Sequence, residues 1–161
     1  MIIPRPTYLQ QLMKNFIVIL LSLISLCSCT TSKTVISQNV NLSKYEYASI
    51  INNETYHIPA ELMEYEIQLF DAVESSRLLL ISDRRIYELS PQQQNKLLLV
   101  KYGVNQNNDE AIVTVNFIDY MTGRPVASCR GAYGLGLDNA GDLKGAIKRV
   151  AKQISETFPK R

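Results

Sequence analysis

Apolar residues recur at helical spacing in two stretches of the chain. In residues 142–158 they fall at every third or fourth position, which is the spacing of one helix face. The members of this stripe are Leu143, Ala146, Ile147, Val150, Ala151, Ile154 and Phe158. A second helix is predicted over residues 59–74, because Pro59 suits a first helical position and a similar stripe follows it. That stripe consists of Leu62, Tyr65, Leu69 and Val73, and it is widened by Met63, Ile67 and Phe70.

Shorter apolar runs are typical of strands. They cover residues 45–51, 77–82, 97–104, Ala111–Asp119 and Pro125–Tyr133. The run at 77–82 predicts a buried strand, and Ser90 with Pro91 predicts one helical turn through Gln94. Gly123, which tolerates positive φ, predicts a hairpin turn within an antiparallel meander of the last three strands. We therefore predict an α+β fold, with an antiparallel-rich sheet of four to five strands and the two longer helices packed on one face.

The first 28 residues differ from the rest of the chain. They contain Arg5 and Lys14 and no acidic residue, and residues 16–26 carry no charge. An uncharged run of this length is too short for a membrane span, which needs about 20 residues, but it suits a signal-peptide core. Residues 1–28 therefore predict a signal peptide. Met13 is an alternative start, and residues 1–12 would then be a misassigned extension.

The uncharged run ends in a cysteine motif, Leu26-Cys27-Ser28-Cys29. It resembles the lipobox of bacterial lipoproteins, with an aliphatic residue at minus three, a small residue at minus one, and then the modified cysteine. The resemblance implies cleavage before Cys29 and a lipid on its thiol. Using Cys27 instead would place Leu26 at minus one, a poorer fit; the other alternative is an ordinary signal peptide with two cysteines.

The lipobox resemblance also implies a location. Mature lipoproteins of this type carry two or three acyl chains, whereas one chain alone gives only marginal membrane binding. Thr30 follows the cysteine instead of an aspartate, which in the familiar Gram-negative sorting scheme indicates the outer membrane, facing the periplasm. Residues 29–41 are then the lipidated cysteine and a polar tether, which either lifts the domain off the membrane or joins the sheet near its end.

Removing residues 1–28 leaves enough chain for one domain, which we place at 42–161. Arg5 and Lys14 are lost, so 15 basic residues balance the 15 acidic ones. A neutral chain lacks the basic excess of nucleic-acid-binding proteins, and we expect no nucleic acid partner. We expect a membrane contact through the anchor, an envelope protein partner, and an oligomer as one open alternative.

Few residues suggest chemistry. His57 is the only histidine, and Cys129 is the only cysteine besides those of the lipobox. A Cys129–His57 pair is the one conceivable nucleophilic arrangement. However, Cys129 falls inside a predicted strand, and a lone cysteine there is either buried as a small apolar residue, which we favour, or a candidate for intermolecular pairing. We therefore expect no catalytic residue, no metal and no cofactor, and we expect the protein not to be an enzyme.

Two surface features have sharper alternatives. The glycine-rich passage of Gly131, Gly134, Gly136 and Gly141 could hold a phosphate against a helix N-terminus, but it matches no phosphate-binding fingerprint. Lys144, Lys148 and Lys152 form a basic row on the last helix. That row is either a solvated face beside the acidic first helix, or a contact for anionic lipid headgroups or an acidic partner.

Several short segments together carry a family resemblance. They are residues 41–47, residues 97–102, Asp119-Tyr120-Met121-Thr122-Gly123-Arg124-Pro125-Val126, and Phe158-Pro159. Residues 41–159 resemble an uncharacterised family of small Gram-negative periplasmic or outer-membrane lipoproteins, whose α+β domains are similar to those of the curli-secretion lipoprotein and the N-terminal domain of the translocation protein TolB. The resemblance implies a non-enzymatic cell-envelope lipoprotein that binds or scaffolds envelope components. The alternative is an accessory subunit of an export or transport assembly in the periplasm.

Overall fold

The computed structural model describes residues 32–51, 60–136 and 138–160, besides Phe16. The chain divides into two units, Met1–Thr30 and Thr31–Arg161, and the description below concerns the second. The signal peptide, Cys29 and His57 lie outside the described residues, so the predictions made for them stay predictions. None of the described helices is long and apolar enough to cross a membrane.

Three α-helices and six strands make up the described domain. The helices are α1 (Ala60–Glu74), α2 (Pro91–Gln94) and α3 (Asn139–Thr157). The strands are β1 (Lys33–Ile36), β2 (Tyr47–Ile50), β3 (Leu79–Leu80), β4 (Leu97–Gln106), β5 (Ala111–Asp119) and β6 (Pro125–Tyr133). Two 3₁₀ helices, Leu42–Lys44 and Asp83–Glu88, lie between them.

All six strands form one mixed sheet in the order β1-β6-β5-β4-β2-β3. The predicted meander of β4, β5 and β6 is confirmed as antiparallel. The predicted number of four to five strands is wrong, because the sheet has six, whereas three of its five strand pairs are antiparallel as predicted. Residues 33–36 of the predicted tether form β1, which pairs antiparallel with β6. In addition, β2 pairs parallel with both β3 and β4, because the helical crossover through α1 returns the chain to the end where β2 began.

One face of the sheet carries the core. In β5 every second residue is buried, and Val113, Val115 and Phe117 belong to one cluster with side chains of both longer helices. The contribution of α1 is Leu69, Ala72 and Val73, and that of α3 is Leu143, Ala146, Ile147, Val150 and Ile154. Both longer helices therefore pack on the same face of the sheet, as their apolar stripes predicted.

Local hydrogen bonds determine where the helices begin. The predicted helical turn through Gln94 is confirmed as α2, and Ser90 closes a capping box with Gln93 at its start. The start of α3 is Asn139, earlier than predicted, because the Asp138 side chain accepts a hydrogen bond from the Gly141 backbone at 2.7 Å. Gly123 has a φ of 68°, which confirms the predicted hairpin turn.

The predicted buried strand at 77–82 is shorter and more exposed than expected. Only Leu79–Leu80 pairs with a neighbour, and the Leu79 side chain is 62% exposed. The reason is that β3 is the last strand of the sheet, so one of its sides has no neighbouring strand. A short apolar run does not distinguish an edge position from a central one.

Candidate functional site

The Cys129 thiol is sealed inside the domain. Its side chain is buried, and its Sγ lies 3.8 Å from Thr34 Oγ1 and 3.6 Å from Thr157 Oγ1. Burial raises the pKa of the thiol, and the two hydroxyl contacts only partly offset that rise. A protonated, inaccessible thiol is a poor nucleophile. The predicted burial of Cys129 is confirmed; the pairing with His57 lies outside the described residues.

Asp119 is the centre of a buried polar cluster. Its carboxylate accepts hydrogen bonds from Lys44 Nζ at 2.9 Å, from the Tyr45 hydroxyl at 2.8 Å, and from the Thr122 backbone at 2.9 Å. Burial alone would raise the pKa of Asp119, but these donors outweigh it and hold the pKa at about 2. Burial raises the pKa of Tyr45, and the hydrogen bond and negative charge of Asp119 raise it further. Asp119 is buried and Lys44 is 47% exposed, and the hydrogen bonds of the carboxylate stabilise the β5–β6 turn.

Arg77 extends this network towards the C-terminus. Its guanidinium donates to the Tyr45 and Leu42 carbonyl oxygens at 2.5 Å each, and it lies 5.7 Å from the centre of the Phe158 ring. Phe158 in turn packs against Phe117 in the core, with 4.7 Å between the ring centres. The charged residues of this region therefore join three separate parts of the chain and stabilise the fold.

The glycine-rich passage serves close packing. A Cβ at Gly131 would overlap the Ala146 carbonyl oxygen, so this glycine lets α3 approach β6. The Gly136 backbone donates to the Asp142 carboxylate at 2.6 Å. Asp138 and Asp142 therefore occupy the positive end of α3 with the protein's own carboxylates, and the arrangement does not favour a bound phosphate.

The basic row of α3 is exposed, as predicted. Lys144, Lys148 and Lys152 all have exposed side chains, and Lys152 lies 3.8 Å from Glu156 in the next turn. Helices α1 and α3 are in contact, and among the side chains described at 63–136 and 138–160 no ion pair joins this row to α1. Among the described residues, no three His, Cys, Asp or Glu side chains lie together in a group that could hold a metal ion.

The outer side of α1 carries an apolar patch that the sequence did not predict as exposed. Met63, Ile67 and Phe70 were expected to widen the buried stripe, but their side chains are 57%, 62% and 36% exposed. They lie one helical turn apart on the side of α1 away from Leu69 and Val73. We call these three residues the α1 patch.

A cleft lies between the α1 patch and the edge strand β3. Its volume is about 420 Å³, and Phe70 belongs to its lining. The other lining residues are Ile50, Glu74, Leu80, Ile81, Ser82, Asp83 and Arg84. Apolar walls with both signs of charge suit a peptide segment better than a small anion. No sequence pattern predicts this cleft, because its lining comes from three separate segments of the chain.

At the opposite end of the sheet, β1 is the other edge strand. It pairs with β6 on one side, and Val35 and Ile36 are 54% and 47% exposed. Thr34 points towards the helices, where its hydroxyl donates to Gln153 of α3 at 2.7 Å. The described domain therefore presents an edge strand with exposed apolar side chains at each end of its sheet.

No protein-family model and no curated protein matches this sequence. Among solved structures, the chain is similar to a PDZ domain protein from Parabacteroides distasonis, with a TM-score of 0.53 and 11% identity. That match covers 81% of this chain and 36% of the other protein, so this chain corresponds to a minor part of it. The PelC dodecamer from Paraburkholderia phytofirmans matches with a TM-score of 0.49 and 14% identity, over 81% of this chain and 99% of PelC. At such identities a similarity concerns the fold and not the activity.

Proposed function

We propose that this chain is a lipid-anchored cell-envelope protein that binds or scaffolds other envelope proteins and catalyses no reaction. The observation that carries the proposal is the α1 patch beside the edge strand β3. Met63, Ile67 and Phe70 repeat on one helix side, yet they remain exposed while the opposite side of α1 is buried. Adjacent exposed apolar residues of this kind mark protein interaction sites.

The edge strand β3 supports the same proposal. Its partner β2 occupies one side only, so the other side is available for an added strand. Leu79 is 62% exposed on this edge, and the 420 Å³ cleft lies beside it. A partner segment running along β3 would contact both the strand and Phe70 of the α1 patch.

The alternative function is an accessory subunit of an export or transport assembly in the periplasm. It is supported by the two edges, β1 and β3, which lie at opposite ends of one sheet. Contact between unlike edges of successive copies is heterologous, and such contacts form rings when the rotation closes. In this case the partner of the α1 patch and of β3 is another copy of the chain.

Crosslinking in intact cells tests the binding proposal. A photoreactive amino acid is placed at Ile67, in the α1 patch, and in a matched variant at Met121, which is 53% exposed in the β5–β6 turn. We expect defined envelope-protein products from Ile67 and none from Met121. Products that contain only this chain, with a large oligomer in light scattering, would select the assembly alternative. Equal or absent products at both positions would contradict both.

The lipid anchor is tested separately. We expect Cys29→Ser to release the protein from the membrane fraction into the periplasm, while Cys27→Ser leaves it in that fraction. Mass spectrometry of the mature protein is expected to find an acylated N-terminal Cys29. An unmodified N-terminus beginning at another residue would refute the anchor.

A further inference from the structure

The sheet has a second face that the two longer helices do not cover. In β5 the core side chains alternate with Ile112, Thr114, Asn116 and Ile118, which are half-buried and point the other way. Cross-strand partners share a face, so the pairing register identifies the other members. The exposed side chains among them, Lys33, Val35 and Lys101, indicate that this part of the face meets solvent.

Two neighbouring rows cross four strands on this face. The first row consists of Lys33, Arg130, Thr114 and Gly103. The second row consists of Val35, Ser128, Asn116 and Lys101. We call these eight residues the basic sheet face.

The basic sheet face carries one sign of charge. Lys33, Arg130 and Lys101 are its ionised residues, and the strand positions β1 to β6 that share this face include no Asp or Glu. Thr114, Ser128 and Asn116 lie between the cations and offer uncharged hydrogen-bonding groups. Cations with interspersed hydroxyl and amide groups suit phosphate oxygens.

The position of β1 relates this face to the anchor. Lys33 begins β1, and only three residues lie between it and Cys29. The four steps from Cys29 to Lys33 span at most about 14 Å even when the chain is fully extended. If Cys29 carries the lipid, the first residue of the basic sheet face therefore stays within about 14 Å of the bilayer surface.

We propose that the basic sheet face lies against the anionic phosphates of the membrane that holds the lipid anchor. This inference rests on the proposed lipidation of Cys29. The basic row of α3 is the rival contact for anionic headgroups, but it belongs to the helical layer on the opposite side of the sheet. The short connection from Cys29 to Lys33 favours the sheet side.

Fluorescence quenching on the lipidated, full-length mature protein tests the orientation. A fluorophore is attached at Val35→Cys on the basic sheet face and, in a matched variant, at Ser155→Cys on the exposed side of α3. Cys129 is buried and does not compete for the label. The vesicles contain phosphatidylcholine with about 30% phosphatidylglycerol, which gives them a negative surface. They also contain a lipid that carries a quencher on its headgroup.

We expect strong quenching at Val35→Cys and weak quenching at Ser155→Cys. Each basic residue near an anionic surface contributes about a fivefold preference. Lys33→Gln with Lys101→Gln should therefore lower the ratio of face-down to other orientations by about 25-fold. Lys144→Gln with Lys148→Gln removes the same charge from α3 and should leave the ratio unchanged. Vesicles of phosphatidylcholine alone, or about 1 M salt, should abolish the difference between the labels.

Other results would overturn the inference. Equal quenching of both labels, or stronger quenching at Ser155→Cys, places another surface on the membrane. If the Val35→Cys label loses solvent exposure in detergent without vesicles, the basic sheet face binds a second copy of the chain. If the label loses solvent exposure only after addition of alginate, the face binds an acidic polysaccharide. Failure of the protein to float with the vesicles refutes the anchor and this inference together, whereas flotation with an unquenched Val35→Cys refutes this inference alone.

Discussion

Asp119 shows how one carboxylate connects distant parts of the chain. Lys44 and Tyr45 precede β2, whereas Asp119 ends β5, and their hydrogen bonds join the two elements. The lowered pKa means that folding favours the ionised form of Asp119. No sequence pattern predicts this cluster, because its members are some 75 positions apart and each is common at the protein surface.

At the residue scale, we expect Asp119→Asn to lower the free energy of unfolding by about 2 kcal/mol, the usual contribution of hydrogen bonds to a charged group. Because the pKa of Asp119 is lowered in the folded state, its stabilisation is complete above about pH 5 and is lost as the pH falls towards 2. The variant should therefore lose less stability than the wild type over that range. Urea unfolding followed by circular dichroism measures both; Asp109→Asn, at an exposed position, is the control and should change stability by less than about 0.5 kcal/mol.

At the element scale, the packing of α3 on β6 depends on one position without a side chain. Gly131→Ala would place a Cβ against the Ala146 oxygen and the Val150 nitrogen, both backbone atoms of α3. We expect a loss of about 1–3 kcal/mol from overpacking, measured as a lower midpoint of thermal unfolding. Gly103→Ala is the matched control, since no atom lies within 4 Å of its Cβ. An unchanged midpoint for Gly131→Ala would contradict this packing.

The two sides of α1 should respond differently to truncation. Leu69 is 3% exposed, so Leu69→Ala should cost about 2–4 kcal/mol of stability. Ile67 is 62% exposed, so Ile67→Ala should change stability by less than about 0.5 kcal/mol. Chemical denaturation of both variants distinguishes the sides, and a large effect at Ile67 would place the α1 patch in the core.

The sequence patterns correctly predicted those elements in which one side is buried and the other is not. The alternation of β5 and the stripe of α3 were sufficient, because one side of each is buried along its whole length. The residues of the α1 patch were wrongly predicted to be buried, because the width of an apolar stripe does not show how much of it is covered by the sheet. For Lys33–Ile36 the sequence left two alternatives, and the one in which the tether joins the sheet near its end is confirmed by the pairing of β1 with β6. A short segment in polar surroundings does not decide between them. The parallel pairs of β2 were missed because they depend on the path through α1.

At the scale of the whole molecule, the length of the connection between Cys29 and β1 should control orientation on the membrane. Inserting eight Gly/Ser residues after Thr30 adds a flexible segment with a root-mean-square length of roughly 15 Å. We expect the protein to remain in the membrane fraction, while quenching of the Val35→Cys label falls. A scrambled insertion of equal length in the β4–β5 turn, after Asn108, is the control. Unchanged quenching in the first variant would mean that the tether length does not set the orientation.

The placement of β1 also has a mechanical consequence. If Cys29 carries the proposed lipid, a load on that anchor reaches the domain first at the Lys33–Arg130 pair, and β1 contains only four residues. Since β1 is an edge strand, its hydrogen bonds to β6 can break one after another, and the Thr34 side chain adds a hydrogen bond from β1 to Gln153 of the helical layer. Tension from the bilayer would therefore separate β1 from β6 before the core unfolds, and the rest of the domain would stay folded.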